Sequence, residues 1–160
     1  MKNLYKMQWS HTLFNDERKN VHNGNKLRTY RKFKYDFKSE EYLVNFKNRK
    51  NRFIFSRLRC SAHRLLIETG RYSRPKIPVE ERICTKCDLK QVEDEYHLIR
   101  ICKLYERIRT DLDINISEIE ETYVHMSDSQ KFVYLMSADA KICNILEMFI
   151  QKLYDVRDDI

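Results

Sequence analysis

Four residues near the middle of the chain have the types and spacing of a metal site. Cys84, Cys87, His97 and Cys102 follow the pattern C-x2-C-x9-H-x4-C. Three thiolates and one imidazole form a complete tetrahedral ligand set for a structural Zn²⁺ ion. The C-x2-C spacing lets two sulfurs reach one metal from a tight turn, and the second pair closes the site. Because four protein ligands leave no position for a catalytic water, the motif predicts a structural zinc site and argues against a zinc hydrolase.

The segments around these ligands predict a hairpin followed by a helix. We expect the cysteine pair at the tip of a short β-hairpin over residues 81–91. Acidic residues 93–95 suit the first turn of a helix that carries His97. In a straight α-helix His97 and Cys102 would lie about 140° apart around the axis. We therefore expect this helix to stop or distort near residues 100–102. The predicted fold class is mainly α, a helical protein with a small central zinc-bound β-hairpin.

The composition agrees with a helical globular chain. Of 160 residues, 42% are hydrophobic and 34% are charged, with only 2 Gly and 2 Pro. No apolar run approaches the roughly 18 residues that a membrane helix needs, and residues 1–10 do not read as a secretory signal. Five cysteines without such a signal indicate a reducing compartment. We expect an intracellular protein, nuclear or cytoplasmic, that is not secreted.

Charge is divided unevenly along the chain. Residues 1–76 carry a net charge of +14 and residues 77–160 a net charge of −7. A basic half of this density indicates contact with the phosphate backbone of RNA or DNA, and the alternative is a solvated helical surface. The candidate contacts are Arg28, Arg31, Lys32, Lys34, Arg49, Lys50, Arg52, Arg71, Arg74 and Lys76, with Lys47, Arg57, Arg59 and Arg64 as further members.

Aromatic residues are interleaved with these basic residues. Tyr30, Phe33 and Tyr35 are candidates for stacking on unpaired bases. The alternative is that aromatic residues build a helical core, and we favour that interpretation for Phe46 and Phe53. A second set of thiol and imidazole groups, Cys60 and His63, has C-x2-H spacing. We expect Cys60 to be a core residue and His63 a surface or capping residue, and Cys143 to pack within the last helix.

Four regions follow from these patterns. They are a loosely ordered N-terminal segment (1–25), a basic helical region (26–78), the zinc-binding module (79–112) and C-terminal helices (113–160). Ser39 is a candidate N-cap, residues 127–130 form a capping-box pattern, and one helix is predicted over about 103–112. The last helix, about 140–157, has apolar residues at the 3, 4, 7, 8 and 11 spacing of one helical face.

Several strings together carry a family resemblance. They include SAHRL at 61–65, IETGRY at 67–72, RPK at 74–76, ERIC at 81–84 and VEDEYHL at 92–98. The chain resembles the region downstream of the polymerase in non-LTR, LINE-like retrotransposon proteins, in particular the reverse-transcriptase zinc-binding domain. The resemblance implies zinc binding by the four ligands and assistance to nucleic-acid binding. It brings no catalytic residue to this chain, and the paired aspartates of a polymerase are absent.

The sequence thus predicts a non-catalytic, zinc-binding and nucleic-acid-binding segment of a reverse-transcriptase polyprotein. The longer parent protein would be an RNA-directed DNA polymerase. The chain itself is expected to have no small-molecule substrate and no membrane contact. The alternative is a zinc-stabilised protein-interaction adaptor that uses the C-terminal helices.

Overall fold

A computed structural model describes residues 2–14 and 27–157, and this part of the chain is mainly helical. Residues 15–25, the rest of the predicted N-terminal region, lie outside the described part. Seven α-helices occur within the described ranges. They are α1 (Lys2–Phe14), α2 (Glu41–Asn45), α3 (Arg49–Arg59), α4 (Leu66–Thr69), α5 (Glu106–Ser117), α6 (Asp128–Ser137) and α7 (Cys143–Val156).

Short 3₁₀ segments and one π-helical turn connect these helices. The π turn spans His97–Ile101 and lies just before α5. The 3₁₀ segments are Tyr30–Lys32, Val79–Glu81, Lys103–Tyr105, Glu121–His125 and Ala140–Ile142.

The centre of the core is α7, which packs against α5, α3 and α2. Its buried residues Leu146, Phe149, Ile150 and Leu153 share one face, as the 3, 4, 7, 8 spacing predicted. One cluster of buried side chains extends from Phe33 in the basic region to these residues and includes two of the metal-motif cysteines. The metal motif is therefore packed on the same core as the C-terminal helices.

Local capping explains where α6 and α3 begin. The Ser127 hydroxyl accepts from the Gln130 amide, and the Gln130 side chain accepts from the Ser127 amide. This reciprocal pair is the predicted capping box, and it starts α6. The Asn48 side chain accepts from the Lys50 amide at 2.8 Å and starts α3. By contrast, the N-cap position of α2 is Glu40, not the predicted Ser39.

Two further predictions are corrected by the structure. The β-hairpin over residues 81–91 is wrong, since the described residues contain no strand and the segment closes through a single antiparallel bridge between Ile83 and Val92. Phe53, assigned to the core, is 62% exposed, whereas Phe46 is fully buried as predicted. The buried face of α3 is shifted by one position to Ile54 and Phe55. Within the described ranges, no helix has both the length and the apolarity to cross a membrane.

Candidate metal centre

The first two candidate ligands lie in a loop closed by backbone hydrogen bonds. The Cys84 amide donates to the Gln91 carbonyl, and the Glu93 amide donates to the Arg82 carbonyl, each at 2.8 Å. These two bonds bring the ends of the loop together, so Cys84 and Cys87 are presented by one tight turn. The Lys86 amide points at the Cys84 sulfur, 3.4 Å away. A backbone N–H directed at sulfur favours the thiolate form.

The second pair of ligands is aligned by the π turn. The Cys102 amide donates to the His97 carbonyl at 2.7 Å, which is an i→i+5 bond. In this wider turn, residues i and i+5 lie on the same side, whereas in an α-helix they would lie on different sides. Asp94 caps the start of the turn by accepting from the His97 amide at 2.7 Å. The predicted distortion near residues 100–102 is therefore present, and it brings both ligands to the same side.

All four ligand atoms converge. The sulfur and nitrogen atoms of Cys84, Cys87, His97 and Cys102 lie within 4.8 Å of one another. The sulfurs of Cys84 and Cys102 are 4.0 Å apart, and the Cys87 sulfur is 3.4 Å from Nε2 of His97. A zinc tetrahedron built from ordinary bond lengths has edges of about 3.8 Å between two sulfurs and about 3.6 Å between sulfur and nitrogen. Both of these distances are close to such edges, and the four residues form a cluster that could bind a metal ion.

The protonation behaviour of the ligands follows from their crowding. Burial raises the pKa of Cys84, and burial together with the neighbouring thiols raises that of Cys102 to about 12. Burial also opposes ionisation of Cys87, but the Leu89 amide and the other two thiols outweigh it and lower its pKa. Burial lowers the pKa of His97, which favours the neutral imidazole, the form that binds a metal ion. A divalent cation supplies the positive charge that three adjacent thiolates need.

The other cysteines lie outside the cluster. Cys143 is buried at the start of α7, as predicted, and burial raises its pKa to about 11. Cys60 and His63 do not act together. His63 is buried, with Nε2 2.6 Å from a carboxylate oxygen of Glu95, and it accepts from the Leu65 amide. The prediction of a surface or capping role for His63 is wrong, since the residue is buried and α4 begins without a side-chain cap.

A network of ion pairs lies next to the metal loop and includes Glu95, close in sequence to His97. Glu95, two residues before His97, contacts both His63 and Arg28, and Arg28 also pairs with Glu68. Arg71 pairs with the second oxygen of Glu68 at 3.0 Å. The sequence offered no signal for the contacts of Arg28, because its two partners are 40 and 67 positions away along the chain. Two of the candidate phosphate contacts, Arg28 and Arg71, are thus engaged within the protein.

The remaining basic candidates divide by exposure. Lys34 is buried, and its ammonium lies 2.8 Å from Glu40, which removes it from the surface. Arg31 and Arg52 are half-buried, and Arg52 donates to the Phe46 carbonyl. The exposed candidates are Lys32, Lys47, Arg49, Lys50, Arg64, Arg74 and Lys76. The basic surface is therefore smaller than the sequence suggested.

Part of the basic and aromatic pattern forms an internal cluster around Arg59. This guanidinium is only 1% exposed and pairs with Glu40 at 2.5 Å. Four rings surround it, with centroids 4.6 to 5.7 Å away, and they belong to Tyr30, Phe33, Tyr42 and Phe55. Tyr30 and Phe33, which were candidates for base stacking, therefore hold a buried cation instead.

Comparison of the chain with protein-family models, with curated proteins and with solved structures found no match.

Proposed function

We propose that Cys84, Cys87, His97 and Cys102 bind one structural Zn²⁺ ion. The observation that carries this proposal is the convergence of the four ligand atoms within 4.8 Å. Thiolate and imidazole are ligands that zinc prefers, and structural zinc sites almost always have four of them. Because the protein fills all four positions, the ion has a folding role and no catalytic one.

We further propose that the zinc-stabilised chain is a nucleic-acid-binding segment of a retrotransposon reverse transcriptase, as its sequence resemblance implies. Exposed basic residues lie just before the metal loop and within it. Arg74 and Lys76 precede it, and Lys86 and Lys90 lie within it. Each contact between such a residue and a phosphate releases counterions, so binding weakens as salt rises. The zinc ion holds the loop, and thereby its lysines, against the helical core.

Metal analysis tests the first part of the proposal. We expect about one zinc ion per purified wild-type chain and a strongly reduced content in Cys87→Ser. Cys60→Ser is the matched control, because Cys60 lies outside the cluster. At free zinc of about 100 times Kd, binding stabilises the fold by about 2.7 kcal/mol, or about 5–11 °C in Tm for a chain of this size. A metal-free wild-type protein with an unchanged Tm would refute the zinc site.

Charge reversal tests the second part. Arg74→Glu combined with Lys76→Glu removes two exposed cations without touching the buried ion pairs. We expect weaker binding to single-stranded RNA or DNA and a flatter dependence of log K on log salt. Arg107→Glu, at an exposed position of α5, is the control, and it makes half the change in net charge, −2 against −4. Equal effects per unit of charge in the two variants would show that total charge, and not this surface, governs binding.

A second candidate function is a protein-interaction adaptor. The observation that favours it is a shallow groove beside α5 in which Ile114 and Val124 are 56% and 60% exposed. Retention on heparin that is lost at high salt supports the nucleic-acid proposal. Binding that is insensitive to salt and abolished by Ile114→Glu supports the adaptor.

A further inference from the structure

The exposed side of α3 combines positive charge with an exposed ring. The helix has 11 residues, of which five are basic and none is acidic. Arg49, Lys50 and Phe53 are exposed, and Phe53 has 62% of its surface in contact with solvent. The guanidinium carbon of Arg57 lies 5.6 Å from the Phe53 ring centroid. The opposite side of the helix is buried and supplies Ile54, Phe55 and Leu58 to the core.

Helix stability does not explain this choice of residues. Cations in the first turn of a helix oppose its dipole, and α3 begins with Arg49 and Lys50. The negative charge that favours a helix start comes from Glu147 of α7, whose carboxylate accepts from the amides of Lys47 and Asn48. An exposed phenylalanine in mid-helix likewise leaves apolar surface in water. Both features become favourable when a polyanion with unpaired bases covers this face.

We propose that the exposed face of α3 is the docking surface for single-stranded nucleic acid, with Phe53 as a stacking platform for one unpaired base. Arg49, Phe53 and Arg57 are spaced four residues apart and lie along one side of the helix. The rise per residue places the two arginines about 12 Å apart, with the ring between them. Arg49 is exposed and Arg57 is half-buried, with its Nε donating to the Ala62 carbonyl at 2.8 Å. The Arg49 guanidinium and the Nη groups of Arg57 contact phosphates on either side of the stacked base. This inference rests on the proposed nucleic-acid function and names its ligand class and its contact surface.

Other exposed rings of the basic region are less suited to this role. The Tyr35 hydroxyl donates to the Lys32 carbonyl, and the Phe37 ring lies 5.5 Å from that of Trp9. Tyr72 is exposed and close in sequence to Arg74, which makes it the rival platform. Tyr72 lies in a loop, whereas Phe53 lies on a helix with a cation four residues before it and another four residues after it.

Titration of labelled oligouridine and of an RNA duplex of matched length tests the proposal. For Phe53→Leu we expect binding to oligouridine to weaken about 5- to 100-fold, the range of one base–aromatic stack, with an unchanged salt slope. Duplex binding should change little, because paired bases do not stack on a side chain. Arg49→Ala should instead reduce the salt slope on oligouridine by about 0.7, the share of one phosphate contact on a single strand. Arg107→Ala is the matched control and should leave the slope unchanged.

The outcomes separate this inference from the proposed function. Wild-type affinity of Phe53→Leu for oligouridine overturns the role of α3, and so does a loss seen in Tyr72→Leu but not in Phe53→Leu. Equal losses on duplex and single strand also overturn the stacking contact. A wild-type protein that binds neither RNA at low salt overturns the proposed function itself. Because Phe53 is exposed, the melting temperature of its variant should match that of the wild type, and a match assigns any loss to binding.

Discussion

Neutralising Glu40 should destabilise the protein more than its position at the start of the short helix α2 suggests. Its carboxylate pairs with Arg59 at 2.5 Å and with Lys34 at 2.8 Å, and it accepts from the Tyr30 hydroxyl. Nε and Nη1 of Arg59 are buried without a hydrogen-bond partner among the described residues. Glu40→Gln therefore leaves a buried guanidinium whose charge is offset by aromatic rings alone.

The magnitude follows from the burial of the two partners. Breaking a buried ion pair by removing one partner costs about 3–5 kcal/mol. Glu40 retains 13% side-chain exposure, and the glutamine amide can still accept a hydrogen bond, so the lower end applies. We expect a loss of about 3 kcal/mol in the free energy of unfolding, or about 6–12 °C in Tm. Urea denaturation measures the loss, and Glu41→Gln, at the next and exposed position, is the control.

The same carboxylate predicts a pH dependence of stability. Burial opposes ionisation of Glu40, but its bonds to Lys34 and Arg59 outweigh that effect and lower its pKa. Its stabilisation is therefore complete above about pH 4.3, the ordinary glutamate value, and is lost as the pH falls through the lower folded-state pKa. The stability difference between wild type and Glu40→Gln should shrink over that acid range. A difference below 1 kcal/mol at neutral pH, or one that does not change with acid, would refute the account of the Arg59 cluster.

Three further substitutions test other contacts. Gly70→Ala should cost about 1–3 kcal/mol, because the new methyl would lie 2.9 Å from the buried side chain of Arg82; chemical denaturation measures it. Ser127→Ala removes the capping box of α6 and should cost about 1 kcal/mol in the same assay, whereas an unchanged midpoint would contradict the capping role. Arg100→Lys keeps the charge but loses the two-pronged contact with Asp113, so we expect a lower Tm by calorimetry and a loss of about 1–3 kcal/mol.

The metal cluster could be predicted from sequence because its chemistry is carried by residue type and local spacing. Cys84 and Cys87 are close enough along the chain for one turn to present both, and His97 and Cys102 required a helix distortion that the angle between them implied. The capping box at Ser127 and the apolar face of α7 are equally local patterns. The hairpin was wrong because closure of the metal loop needs only one bridge, at Ile83 and Val92, and not a strand.

The basic region was harder to predict because its charges and rings have two possible partners. A sequence of alternating arginines and aromatic residues does not show whether the rings stack on nucleic-acid bases or pack against other residues of the chain. Arg59 is buried among rings from three separate segments, and no local spacing brings those segments together. The assignment of Phe53 to the core failed for a related reason. Phe53, Ile54 and Phe55 are consecutive, so helical periodicity alone does not choose among them.

Four residues separate His97 and Cys102, and this spacing aligns the two ligands only because the turn between them is π-helical. A chain that lost one residue from this interval, such as Ile101, would still hold His97 and the cysteine on one side, because residues i and i+4 share a face of an ordinary α turn. A chain that gained a residue has no regular helix that would align them. We therefore expect the site to tolerate a deletion between His97 and Cys102, because an α turn can replace the π turn. An insertion at the same place should separate the two ligands.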